Sequence, residues 1–243
     1  METPPRRKST RSRPAKPPLS MAAVIDAGLG VLRREGLDAV TMRKVAAALD
    51  TGPASLYVYV SQREELLRLM HDAVIATVPL PGLPADPPGD WRTRLTTLIT
   101  DVVHALNAHP GIGRVSLGSI PATPAWLGLF DRILGLLLVG GVERQRAAWG
   151  CDLIALYIGA VTYEVAIAAP PAGGGPDALQ EALEHRHARV SLEERLAGLD
   201  PARHPHLAAS AAELAAGPAA ARLALGVEVL IDGLALGRAG AGN

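Results

Sequence analysis

A chain of 243 residues with 49% hydrophobic content can bury a sizeable core, which excludes a wholly disordered protein; with 3% aromatics, Leu, Val and Ala must fill most of that core. One cysteine, Cys151, excludes an internal disulfide framework. The longest apolar run, Ile133 to Val142, falls well short of the ~18–20 residues of a membrane span. With no apolar segment behind its basic, Pro-rich start, the chain is expected to be soluble and cytoplasmic. The formal net charge of zero is unevenly spread: residues 1–78 hold 12 Lys and Arg against 8 Asp and Glu, and residues 79–243 hold 12 against 16. Positive charge gathered at one end suits a polyanionic partner for that end alone.

Residues 1–18 mix Arg6, Arg7, Lys8, Arg11, Arg13 and Lys16 with Pro4, Pro5, Pro14, Pro17 and Pro18, and are expected to form a disordered basic arm. Beyond it, apolar residues recur at helical spacing. That spacing predicts helices over 20–34, 42–49, 53–59, 62–78, 91–108, 111–118, 123–140, 143–168, 177–198, 206–216 and 218–237, an all-α protein with no sheet. Prolines and glycines in residues 79–90 interrupt this series, so a small domain (19–78) is expected to connect there to a larger helical one (91–243). The run AAPPAGGGP at 168–176 reads as a loop.

The most informative stretch lies between Ser20 and Val78. Ser20 is placed to cap the first helix, whose Ile25, Leu29 and Leu32 share a face, and Gly36 to end it as a left-handed cap. Thr41 caps a second helix lined by Met42, Val45, Ala46 and Leu49. Only Asp50 to Gly52 separate it from a third, short helix in which Leu56 and Val60 point inward. Ser61 and Glu64 form a capping-box pattern opening a fourth helix, with Leu66, Met70 and Val74 facing back. Two short helices joined by a tight turn and braced on either side fit a helix into a DNA major groove, although a three-helix bundle with no DNA role carries the same periodicity. The Tyr57 and Tyr59 hydroxyls and Arg63 suit phosphates, and the planar fork of Arg43 suits guanine O6 and N7.

The run LDAVTMRKVAAALDTGPASLYVYVSQREELL closely resembles the DNA-binding domain of the tetracycline-repressor (TetR) family. It carries GLDAVTMRKVAAAL, the SLYVYV core of the recognition helix, and the S-x-[KR]-E-E-LL opening of the fourth helix at Ser61 to Leu67. The closing ARLALGVEVLIDGLAL is similar to the family's final helix. This resemblance implies a homodimer with one recognition helix per subunit, released from double-stranded operator DNA when a small molecule enters the C-terminal domain. Carried over by position, Thr41, Arg43, Thr51, Pro53, Ala54, Ser55, Tyr57, Tyr59 and Arg63 fall at DNA-contacting places. Tyr59 stands where histidine is common in relatives. Because the recognition helix leads with Gly52, Pro53 and Ala54, direct readout is expected from Arg43 and Ser55, apolar contact to thymine methyls from Pro53 and Ala54, and the remainder from DNA shape. The basic arm beside such a reader is expected to follow phosphates or enter a minor groove.

In the larger domain, Leu223, Val227, Leu230 and Leu234 share one face of the final helix, beside Gly226, Gly233 and Gly237. That face suits a dimer contact shared with the helix near 143–168, or packing within the chain. The scarce aromatics suggest a hydrophobic or aromatic ligand between Trp126, Phe130, Trp149 and Tyr157, walled by Leu134, Leu137 and Leu153, or simply core. No cofactor or metal is expected: His185 with His187, and His204 with His206, are spaced i, i+2 and do not share a helix face. No nucleophile elbow, phosphate loop or acid pair points to an enzyme. The remaining alternative is a DNA-binding regulator that takes no ligand.

Overall fold

A computed structural model of the chain describes residues 18–83, 90–117, 122–168, 194, 196 and 198–236. Residues 1–17 of the basic arm, all but a few residues of the helix expected at 177–198, His185, His187 and Gly237 lie outside the described residues. Within them every regular element is helical, as the periodicity predicts.

The first unit comprises α1 (Met21–Glu35), a single 3-10 turn (Leu37–Ala39), α2 (Met42–Ala48), α3 (Pro53–Leu56) and α4 (Arg63–Ile75). Ser20 and Thr41 cap as expected, their hydroxyls accepting from the N–H groups of Ala23 and Lys44 at 3.2 Å each. Gly36 closes α1 by donating its N–H to the Leu32 carbonyl, at φ 84° and ψ 170°. The positive φ agrees with the sequence reading, but the ψ is extended rather than left-handed helical, a combination open essentially to glycine alone. The capping box of α4 differs from expectation. The helix starts at Arg63, so the side chain in reach of Ser61 is Glu65 rather than Glu64. Its carboxylate accepts from the Ser61 N–H at 2.6 Å and from the hydroxyl at 2.5 Å, and both bonds hold its pKa below the usual range.

Val24, Leu32, Val45, Leu56, Val60, Leu66 and Met70 are fully or almost fully buried in this unit's core. Close approach of α1 and α4 depends on Gly28, because a Cβ there would lie 2.7 Å from the Met70 sulfur. Gly30 has no such part, since a Cβ there would meet only Arg34 of its own helix.

The second unit comprises α5 (Trp91–Asn107), α6 (Arg114–Leu117), α7 (Pro124–Val139), α8 (Arg144–Ala168), α9 (Pro205–Ala209), α10 (Ala211–Ala215) and α11 (Ala219–Ala235). The helix expected over 111–118 shrinks to α6 because turns precede it, with Gly111 at φ 90°. The one expected over 206–216 breaks at Ser210, whose backbone leaves helical geometry. Helices α5, α7, α8 and α11 enclose a core that includes Leu95, Ile99, Leu129, Leu136, Leu137, Ile154, Val227 and Ile231. This core is continuous with that of the first unit, because α4 packs on both α5 and α7. No described helix is long and apolar enough to cross a membrane.

Candidate nucleic-acid interface and regulatory core

Helices α2 and α3 are joined by the short turn Leu49–Gly52, in which Asp50 adopts φ 51° and the Thr51 N–H donates to the Ala46 carbonyl at 3.0 Å. Aspartate tolerates this left-handed backbone better than most residues. Pro53 occupies the first turn of α3, where its missing N–H costs nothing. Leu56 is fully buried and Val60 nearly so. With α3 anchored from beneath, Pro53, Ala54, Tyr57 and Val58 are exposed, Tyr57 at 56% and Val58 at 81%. An apolar surface so open on a four-residue helix and the turn that follows it invites a partner.

Of the sequence-predicted DNA residues, Thr41, Arg43, Pro53, Ala54 and Tyr57 are solvent-exposed, on α2, on α3 or at their edges. Thr51 and Ser55 are half-buried and joined hydroxyl to hydroxyl at 3.1 Å. The other two have work within the protein. Tyr59 donates its hydroxyl to the Leu19 carbonyl at 2.5 Å, tying the recognition segment to the lead into α1. Arg63 is half-buried and donates its Nε to the Val40 carbonyl at 2.6 Å and its Nη2 to the Leu37 carbonyl at 2.9 Å. This guanidinium, for which a phosphate contact is expected from the sequence, clamps the turn that launches α2. An arginine fork suits two carbonyls at once, and that of Leu37 also accepts the Val40 N–H across the 3-10 turn at 3.1 Å. The recognition helix is also shorter than predicted: after Leu56 the chain turns, and the Tyr59 N–H bonds to the Leu56 carbonyl.

The seven expected ligand residues do not form one cluster. Trp126 and Phe130 meet with ring centroids 5.0 Å apart, with Leu137 buried and Leu134 half-buried on the same helix, α7. Trp149 and Leu153 lie on the outward side of α8, 67% and 48% exposed, whereas Trp126 is buried. Tyr157 turns to α11 and donates its hydroxyl to the Leu223 carbonyl at 3.3 Å. Periodicity could not separate these sides, because α8 has apolar residues all round it. A cavity of about 300 Å³ lined by Pro79, Leu80, Arg94, Thr97, Leu98 and Asp101, among others, contains none of the seven.

What the sequence reading missed is on α4. His71 is fully buried, its ring 5.5 Å from that of Trp126, and neither imidazole nitrogen has a hydrogen-bond partner; nor does Trp126 Nε1. Burial pushes the His71 pKa down to about 4, against the pull of the neighbouring Asp72 charge. Asp72 Oδ1 accepts from the N–H groups of Ala125 and Trp126 at 3.0 and 3.1 Å, serving two donors that the start of α7 leaves open. The available signal was a His-Asp pair beside Leu67, Met70, Val74 and Ile75, all buried on the same helix.

A pH dependence follows from His71. Its folded pKa lies below the ordinary value of 6.5. The stability gained by keeping it neutral is therefore complete above that value and lost as pH falls toward about 4. This loss is expected to reach about 3 kcal/mol, with half-buried His109, also shifted down by burial, adding to it. Urea unfolding between pH 7 and 4 should show the slope, and His71→Leu should flatten it. An unchanged slope in that variant would place the acid sensitivity elsewhere. Cys151, buried with its thiol pushed up to about 11, is expected to resist alkylation in the folded protein.

For the final helix the structure takes the second of the two expected alternatives, packing within the chain. Leu223, Val227 and Leu234 are buried within the chain. Gly226 admits Tyr157, whose hydroxyl would lie 2.0 Å from an added Cβ. Arg146 of α8 caps the end of α11 by donating to the carbonyls of Gly233 and Leu234 at 2.6 and 3.0 Å. The opposite side of α11 shows Leu225, Val229 and Leu236 at 60%, 60% and 77% exposure, beside the Trp149, Leu153 and Leu156 stripe of α8.

The comparisons with known proteins agree with this architecture. The family model for bacterial regulatory proteins of the tetR family matches residues 24–70, and that for the tetracyclin repressor-like C-terminal domain matches residues 83–237. The HTH-type transcriptional repressor DrrR1 of Streptomyces coeruleorubidus is 30% identical over 225 residues, covering 92% of this chain and 80% of the relative. Apo ActR from Streptomyces coelicolor superposes with a TM-score of 0.77 at 30% identity, over 92% of this chain and 98% of that one. ActR in complex with actinorhodin gives the same TM-score at 29% identity, over 92% and 100%. With a helix-turn-helix on an all-helical frame, matches to both family domains and relatives that are transcriptional regulators, the chain belongs to the tetR family of bacterial regulatory proteins and is a DNA-binding transcription regulator.

Proposed function

We propose that the protein works in the cytoplasm as a homodimeric repressor, released from its operator by a hydrophobic or aromatic small molecule. The observation that carries the DNA reading is the short helix α3, pinned by Leu56 and presenting Pro53, Ala54 and Tyr57 outward behind an exposed Arg43. In this reading Arg43 and Ser55 read base edges, Pro53 and Ala54 contact thymine methyls, and Thr41, Thr51 and Tyr57 hold phosphates, while Tyr59 and Arg63 keep the reader in shape. Selection of bound duplexes from a random DNA pool tests it: a palindromic site with half-sites about one helical turn or a multiple apart is expected. Arg43→Ala is then expected to cost about 1–3 kcal/mol at the preferred site and relax one base position. Uniform weakening across all sequences would assign Arg43 to phosphate instead.

Two features support dimerisation and ligand control. The exposed apolar stripes of α8 and α11 lie side by side, a surface suited to a second copy of the chain. Trp126, Phe130, Leu134 and Leu137 form an apolar wall beside the unpartnered nitrogens of His71 and Trp126, a combination typical of ligand sites. The ActR complex with actinorhodin supports the expectation of a small-molecule effector. Screening aromatic compounds by thermal shift, with and without the selected duplex, tests this. Compounds that stabilise the protein and displace DNA uphold the ligand-responsive reading, and their absence favours a regulator that takes no ligand.

A further inference from the structure

The chain that leaves α4 runs as a strap over residues 79–83 and encloses, with α5, the cavity of about 300 Å³. The strap is fastened at three points. Leu80 and Leu83 pack beside Gly128 and Gly135 of α7, where an added Cβ would lie 3.6 and 2.9 Å from the nearest leucine carbon. Between them the Gly82 carbonyl accepts from Arg94 Nη1 at 2.8 Å. Pro79 and Pro81 have a fixed φ, so a strap held in this way has little freedom to close onto α5.

The polar groups of the cavity lack donors. Thr93, Thr97 and Asp101 follow one another at i, i+4 and i+8, spread over about 12 Å of α5. Among the described residues their side chains make no hydrogen bond or ion pair. Pro79 and Pro81 on the strap carry no N–H to offer them. The cation of the lining, Arg94, is already engaged, donating Nε to Asp90 Oδ2 at 2.7 Å and Nη1 to the Gly82 carbonyl. With Asp90 paired in this way, Asp101 gives the lining one uncompensated negative charge. An anion therefore meets repulsion. A metal ion finds no second carboxylate, because Asp90 and Asp101 lie about 16 Å apart along the helix.

We propose that this cavity is a small-molecule site of its own, apart from the Trp126 wall, and that it takes a small organic amine on an apolar body. The ammonium donates to the Asp101 carboxylate, a charge-assisted bond stronger than a neutral one. The apolar body lies between buried Leu98 and the side chains of Pro79, Leu80 and Pro81. The Thr97 and Thr93 hydroxyls accept any further N–H or O–H. A cavity at the small end of the range for ligand sites limits the occupant to roughly a dozen non-hydrogen atoms. The site is independent of any effector bound beside Trp126.

Three probes of one shape test the charge: tryptamine, its neutral alcohol counterpart tryptophol, and anionic indole-3-propionate, each titrated into the full chain by calorimetry. Tryptamine is expected to bind with a Kd of about 1 mM or tighter, tryptophol about tenfold more weakly, and the anion not measurably. Asp101→Asn should erase the preference, bringing tryptamine within about threefold of tryptophol. Thr97→Phe, which fills the cavity from an exposed position, should abolish binding of both, and melting temperatures close to the parent's show that each variant is folded. No tryptamine binding up to about 10 mM overturns the proposal. So does an anion that binds as well as the amine, or an Asp101→Asn protein with the parent's affinity for tryptamine. Because no DNA enters the experiment, none of these results bears on the DNA-reading assignment.

Discussion

Trp149→Glu combined with Leu225→Glu is expected to yield a folded monomer that no longer holds operator DNA. Both positions are more than half exposed, on adjacent helices, and neither contributes to the chain's own core. Two carboxylates on such a surface are well solvated in the monomer, so its melting temperature should change little. In a two-fold interface each substitution appears twice, bringing four negative charges into a surface that must lose water to associate. Loss of the dimer uncouples the two readers, and operator affinity is expected to fall about 100-fold or more because the second half-site no longer adds avidity. Sedimentation and fluorescence anisotropy measure the two effects. A double variant that remains dimeric would remove the α8–α11 surface from consideration as the interface.

Arg63→Ala is expected to destabilise the reader itself. It removes two charge-assisted hydrogen bonds and leaves the Leu37 and Val40 carbonyls without that donor, a loss of about 2–4 kcal/mol. Arg63→Lys should recover only part, because an ammonium on a flexible stem does not reproduce the planar fork. The competing assignment, contact to a phosphate, makes a different forecast. Stability would then be unchanged, and the salt dependence of DNA binding would flatten by about one counterion. Chemical denaturation together with a salt titration separates the two assignments.

The contrast between Arg63 and Arg43 marks how far local pattern reaches. Both arginines sit at or near the start of a helix of the first unit and carry the same chemistry. Only the folded arrangement shows that one meets two carbonyls from the turn before α2 while the other is exposed. The capping box gives a similar lesson at smaller scale. Its chemistry was legible at Ser61, but a helix start at Arg63 brought Glu65 to the serine in place of Glu64. Trp126 and Phe130 are four residues apart on α7, so their contact follows from helical spacing. Trp149 failed to join them because α8 carries apolar residues both toward the core and away from it.

The helix-turn-helix was determined by sequence alone for a physical reason: its caps, turn and core spacing are local interactions, each spanning a few residues. The all-helical class followed likewise from apolar periodicity. Tertiary structure decided which side of α8 and α11 faces outward, which arginine is bonded to backbone carbonyls and which is exposed, and which acidic residue holds α7. Each of these depends on groups 23 to 88 residues apart in sequence. At such separations, packing and the hydrogen bonds of exposed helix ends select the partner, and no repeat or spacing in the chain encodes it.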